Sequence, residues 1–203
     1  VRAFVSGGTL FIQGDSADNE IVVEQSKLRS FRVSSRDGTT LINGQANPRS
    51  FFGVSKDLNI SLGRGNDVVE IVGTADDAVT VSNRLFVNTS HGDDQVLFTE
   101  VHAIGIHIDT GSGNDVVNVG DNGAEGGLEV TKEALILTGS GDDRLSIANS
   151  LFKRFLTLNM GNNNDETTLQ DTRVRSSSTI IGSSGFDTVN RQGNSGKLKY
   201  VSY

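Results

Sequence analysis

The chain has 203 residues: 35% are hydrophobic, 24 are glycine and one is proline, cysteine is absent, and the formal net charge is −7. An acidic balance with no basic stripe or aromatic platform argues against nucleic acid as a partner and favours cations at the surface. The missing cysteines exclude a disulfide framework and a thiolate metal site, and no apolar run approaches the ~20 residues of a membrane-spanning helix.

The chain opens with Val1-Arg2-Ala3, which lacks the charged start and apolar core of a secretory leader, so it reads as a mature protein or a fragment. Residues 8–23 form a distorted first unit, with Asn19 where later units carry aspartate. A strand around Phe31–Val33 follows, then Asp37-Gly38, a hairpin-turn signal, then Asn43-Gly44 and Pro48. Residues 1–57 are expected to be a first rung plus an N-terminal cap.

From residue 58 one phrase recurs. Gly63-Arg64-Gly65-Asn66-Asp67, Gly111-Ser112-Gly113-Asn114-Asp115 and Gly139-Ser140-Gly141-Asp142-Asp143 are each followed by alternating apolar residues. Blurred copies end at Asp94, Asp165 and Asp187. The intervals between these aspartates are 27, 21, 28, 22 and 22 residues. That is a period of about 22 with two polar insertions, 73–77 and 120–127, expected to bulge from one edge of a stack.

Two residues beyond the aspartates stand Val69, Val96, Val117, Leu145, Thr167 and Val189. Four beyond stand Ile71, Phe98, Val119, Ile147, Leu169 and Arg191. Alternation of period two marks strands with one buried face, and by the same parity each aspartate faces that buried side. A second strand precedes each turn, as in Leu58-x-Ile60-x-Leu62 and Ile106-x-Ile108-x-Thr110. Short pieces at 78–81 and 127–130 suggest a third strand per rung. No long stretch shows the helical period. The expected fold is all-β, a single-stranded right-handed parallel β-helix (a solenoid) with rungs of ~22 residues over 58–187. Residues 188–203 are then a C-terminal cap or the end of a fragment, since Arg191 breaks the apolar pattern.

The turn carries the only candidate chemistry. Gly63, Gly65, Gly111, Gly113, Gly139 and Gly141 allow the positive φ of a tight reversal. Asp67, Asp94, Asp115, Asp143, Asp165 and Asp187 would stack at strand spacing, ~4.8 Å. Two bare carboxylates at that distance repel by roughly 3–4 kcal/mol at an effective dielectric near 20. Such a column calls for a divalent cation, for turn N–H donors, or for both. Ca²⁺ suits oxygen-only ligands. In the alternative without metal, the aspartates cap turn N–H groups, and Asn66, Asn114 and Asn163 form a side-chain ladder.

Residues 111–118 resemble the last part of the RTX (haemolysin-type) calcium-binding nonapeptide, G-G-x-G-x-D-x-U-x, and 63–71 and 139–147 are similar. The resemblance implies Ca²⁺ held between turns by the six aspartates. The first glycine of the family's pair is replaced by Leu62, Thr89, Thr110, Thr138 and Met160, and the period is about 22 rather than 9. The wider rhythm resembles long-rung repeats of large secreted or surface proteins of environmental bacteria, planctomycetes included. It implies a non-catalytic structural or adhesive module, secreted or at the bacterial cell surface. The absence of cysteine fits that compartment.

His91, His102 and His107 sit in no metal or acid–base motif, and no phosphate loop or nucleophile elbow occurs. Lys153, Arg154, Arg173 and Arg175 fall one rung apart and could form an outward basic strip. The alternative function is therefore a carbohydrate-binding or polysaccharide-degrading protein using that face. The expected partners are a surface polysaccharide or another copy of the module stacked end to end, because an open stack end leaves strand edges unpaired.

Overall fold

The computed structural model describes residues 1–74, 76–120 and 126–202. The described chain is all-β, with no helix. In chain order the strands are β1 (Arg2–Ser6), β2 (Thr9–Gln13), β3 (Glu20–Lys27), β4 (Ser30–Ser35), β5 (Arg49–Phe52), β6 (Leu58–Ser61), β7 (Val68–Val72), β8 (Val79–Asn88), β9 (Gln95–Thr99) and β10 (Val101–Asp109). There follow β11 (Val116–Val119), β12 (Leu128–Leu137), β13 (Arg144–Ala148), β14 (Leu151–Phe152), β15 (Phe155–Asn162), β16 (Glu166–Gln170), β17 (Arg173–Ser184), β18 (Thr188–Gln192) and β19 (Ser195–Ser202).

These strands form two mixed sheets rather than the expected single-stranded parallel β-helix solenoid. One sheet has ten strands, in the order β1-β2-β6-β8-β10-β12-β14-β17-β15 with β19 on β17. The other has nine, β18-β16-β13-β11-β9-β7-β3-β4-β5. Two physical causes separate this from the expectation. The short reversals at Gly7-Gly8 and Leu28-Arg29 force antiparallel pairing of β1 with β2 and of β3 with β4, and β5 joins β4 antiparallel as well. A strand run is also interrupted at Lys153-Arg154. Its halves, β14 and β15, each bridge β12 to β17, so four strands close a ring within the larger sheet.

From β6 onward each pass of the chain lays one strand on each sheet, parallel to the pass before. Of the pieces expected as a third strand per rung, residues 79–81 and 128–130 run on into the following strand as β8 and β12, and among the described residues their counterpart Leu151–Phe152 stands apart as β14. Of the two insertions, Ala75 and 121–125 lie outside the described residues. The ends that are described join β7 to β8 and β11 to β12.

Alternation in sequence becomes alternation of faces. Val69, Ile71, Val117, Val119, Leu145 and Ile147 point between the sheets with Leu58, Ile60, Ile108, Ile136 and Leu158, all essentially inaccessible to water. Each such aliphatic side chain contributes ~1.5–3 kcal/mol on burial. Arg191 pairs with Leu169 in register but is exposed, so the apolar interior ends there. Asp37-Gly38 lies in the connection between β4 and β5, which pair antiparallel, though that connection spans 36–48 rather than a two-residue turn. The tight β3–β4 reversal runs through Leu28 and Arg29, the latter at φ 61°.

Candidate functional site: the aspartate column

The turn between the two sheets places one aspartate per pass at the lip of the core. Asp67, Asp94, Asp115, Asp143 and Asp165 are at most 2% exposed, and Asp187 is partly exposed. The glycines permit this because backbone lies directly on backbone. A Cβ on Gly113, whose φ is 132°, would stand 1.9 Å from the Gly92 carbonyl oxygen. Where the phrase departs from glycine, Ser90 and Asn163 adopt φ of 79° and 83° instead.

The column is wired by hydrogen bonds. The backbone N–H of each anchor donates to Oδ1 of the next one along. Asn19 donates to Asp67 at 2.8 Å, Asp67 to Asp94 at 2.7 Å, Asp94 to Asp115 at 2.9 Å, Asp115 to Asp143 at 2.8 Å, Asp143 to Asp165 at 3.0 Å and Asp165 to Asp187 at 3.1 Å. A second ladder runs the opposite way through the preceding residues. Asn66 N–H donates to Asp18 Oδ1, Asp93 to Asn66, Asn114 to Asp93, Asp142 to Asn114, and Asn164 to Asp142, all at 2.7–3.0 Å. Phe186 N–H closes the series on Asn164. Asn164, not Asn163, is therefore the ladder residue of its pass.

The outer ladder alternates Asp18, Asn66, Asp93, Asn114, Asp142, Asn164. Its charges are thus about two strand spacings apart, ~9.6 Å, where solvent and salt screen them. This alternation was legible in the sequence, one residue before each anchor, and was missed there. The inner column has no such relief. Its Oδ2 atoms in Asp67, Asp94, Asp115, Asp143 and Asp165 are buried with no hydrogen-bond partner among the described residues.

Thr89, Thr110 and Thr138 sit beside the carboxylates of Asp94, Asp115 and Asp143. Their hydroxyls, however, donate to the Thr110, Thr138 and Met160 carbonyls, at 3.3, 3.1 and 2.7 Å. With the hydroxyl proton committed, the adjacent carboxylate gains a bond to the threonine oxygen only by carrying a proton itself. Electrostatics point the same way. Burial pushes Asp67 and Asp143 up to about 7 and Asp94 and Asp165 up to about 6, against the pull of the N–H bonds. Burial raises Asp115 as well.

The donor set does not fit a calcium cage. Ca²⁺ takes six to eight oxygen ligands at ~2.3–2.6 Å. Here one carboxylate oxygen per pass is already held by an N–H, and a single Oδ2 remains. Among the described residues no three His, Cys, Asp or Glu side chains gather as metal ligands would.

The basic residues are only partly assembled. Lys153 is hydrogen-bonded to Glu129, whose carboxyl it holds below the usual range. Register places Arg173 beside Leu151 and exposes Arg175 two residues on, while Arg154 is exposed in the β14–β15 break. One of the expected strip's four positive charges is thus matched by Glu129. His91 Nδ1 lies 3.1 Å from Ser90 Oγ, and His102 Nε2 lies 4.0 Å from Glu100. No family model, curated protein or solved structure matches the chain. The RTX resemblance therefore rests on the turn residues alone.

Proposed function

We propose that this chain is a non-catalytic structural and adhesive module of a secreted or surface-attached bacterial protein. Its stack is held by the two opposed side-chain ladders rather than by metal. The carrying observation is the continuous file of N–H to Oδ1 bonds from Asn19 to Asp187. The anchor aspartates are each bonded through Oδ1 to the neighbouring turn. Bonds that cross from pass to pass at every turn oppose local opening, and resistance to local opening is what an extracellular spacer needs.

Two measurements test this. Digestion with a broad-specificity protease well below the melting temperature should leave 58–187 intact, and rapid cleavage within the passes would refute the stiff-spacer role. Incubation with pectin, alginate, xylan and cellulose should release no new reducing ends or unsaturated products. Turnover that is lost on substitution of any carboxylate would overturn the non-catalytic reading.

A further inference from the structure

The outer face of the ten-stranded sheet carries a second feature, remote from the aspartate turn. Strands β8, β10, β12 and β15 align two rows of outward residues. One row is Arg84, Gly105, Glu133 and Phe155, and the other is Phe86, His107, Leu135 and Thr157. Gly105 is the anomaly. A glycine inside a strand forfeits packing and often marks close approach by another molecule. It has no positive φ to require it, and a Cβ there would meet only ordinary contacts at 3.6 Å and beyond. The space its side chain would take is covered by Arg84 and Glu133, whose Cγ atoms lie 3.6 and 3.7 Å from that Cβ position, so Gly105 is buried beneath them and borders the groove rather than lining it.

The groove beside Gly105 has chemically mixed walls. Arg84 and Glu133, 49 residues apart in sequence, meet across Gly105 at 2.8 Å. Phe86 packs edge-on to His107, with ring centroids 5.1 Å apart, and Phe155 is 48% exposed at the far side. His107 Nε2 has no hydrogen-bond partner among the described residues. The groove encloses about 410 Å³, within the ~300–1,000 Å³ of small-molecule sites. A neighbouring groove of about 600 Å³ shares Arg84 and Phe86 and continues past Phe11 and Asn59. Three strand spacings, ~14 Å, separate the strands that carry Phe86 and Phe155, which stand in different rows.

We propose that this groove binds an uncharged oligosaccharide. Ring faces for C–H packing, set beside paired carboxylate and guanidinium groups, match the alternating apolar patches and hydroxyls of a sugar chain. The charges exclude the nearest rivals. Arg84 is balanced by Glu133, and Asp57 adds a further carboxylate to the neighbouring groove, so an anionic glycan or nucleotide meets no net positive field. An extended peptide would need an open strand edge, whereas these strands lie inside the sheet, flanked by β6 and β17. The inference goes beyond the spacer role and does not depend on it.

The test uses the whole chain on a glycan array of neutral cello-, xylo-, manno- and chito-oligosaccharides, with oligogalacturonate and heparin as anionic arms. Positive probes are then followed by calorimetric titration. Neutral probes should bind, and both Phe86→Ala and Thr157→Trp should weaken binding at least tenfold. The second variant narrows the groove from a residue that lines it, without removing any wall. Thermal melting, run in parallel, reports on the fold separately and should show both variants folded. Absence of neutral binding, stronger binding by the anionic arms, or affinity indifferent to both substitutions would each overturn the proposal.

Discussion

Replacing Asp143 with asparagine should change how stability depends on pH. Asp143 accepts the Asp115 N–H at 2.8 Å through Oδ1, its Oδ2 is buried with no hydrogen-bond partner among the described residues, and its carboxyl group lies beside Thr138. Asparagine keeps the acceptor and cannot ionise, and Asn19 already occupies the equivalent place in the first pass, 3% exposed. The folded-state pKa of Asp143, about 7, lies above the unfolded value of 3.8, chiefly through burial and with the charges of Asp115 and Asp165 adding to it. A raised carboxyl pKa means the folded state holds its proton more tightly. Its stabilising effect is complete below pH ~4 and is lost as pH rises towards ~7, the reverse of ordinary acid denaturation. From pH 5 to the folded pKa is about two pH units at ~1.4 kcal/mol each. The parent should therefore lose ~3 kcal/mol more than Asp143→Asn between pH 5 and pH 8.

Urea unfolding at pH 5, 6, 7 and 8, extrapolated linearly, measures the difference. Carboxylates common to both proteins largely cancel in it. Asp143→Ala separates charge from hydrogen bonding. It orphans the Asp115 N–H and should cost ~1–3 kcal/mol relative to Asp143→Asn at every pH. Parallel profiles for the parent and Asp143→Asn would refute the idea that the buried Oδ2 is protonated in the folded state.

Gly113→Ala should destabilise by more than ~3 kcal/mol, because its Cβ would meet the Gly92 carbonyl at 1.9 Å. Gly38→Ala, at φ 86° with open space around it, should cost only the ~1–2 kcal/mol of left-handed geometry, so equal losses in denaturant melts would discredit the backbone-contact account. Chelation with EDTA, and addition of millimolar Ca²⁺ at pH 8, should both leave the melting temperature unchanged. A clear rise with Ca²⁺ would show that the Oδ2 atoms recruit ligands the turn itself does not supply. Raising salt at pH 8 should stabilise the chain modestly by screening the exposed charges of Asp18, Asp93 and Asp142, and thermal melts in a salt series would detect the opposite trend.

Local periodicity was enough to identify the strands that flank the turns and the face each residue takes. Val117 and Val119 are buried with Asp115 because side chains two apart in a strand share a side, whatever the strand pairs with. The glycines of the turn were equally legible, since positive φ is a property of single residues. Other features depended on which strands meet. Gly7-Gly8 between two apolar runs was a local hairpin signal for β1–β2, but nothing local in Leu28-Arg29 announces the β3–β4 pair, and nothing in Lys153-Arg154 announces that β14 and β15 will both rest on β12. The sequence placed a carboxylate at the core's edge. Only the stacked structure decided that Oδ1 would take an N–H from one neighbouring pass while the threonine hydroxyl went to a carbonyl, leaving Oδ2 without a donor. The groove beside Gly105 is of the same kind. Two of its walls, Arg84 and Glu133, stand 49 positions apart in sequence, and they meet because the register of three parallel strands leaves only a glycine between them.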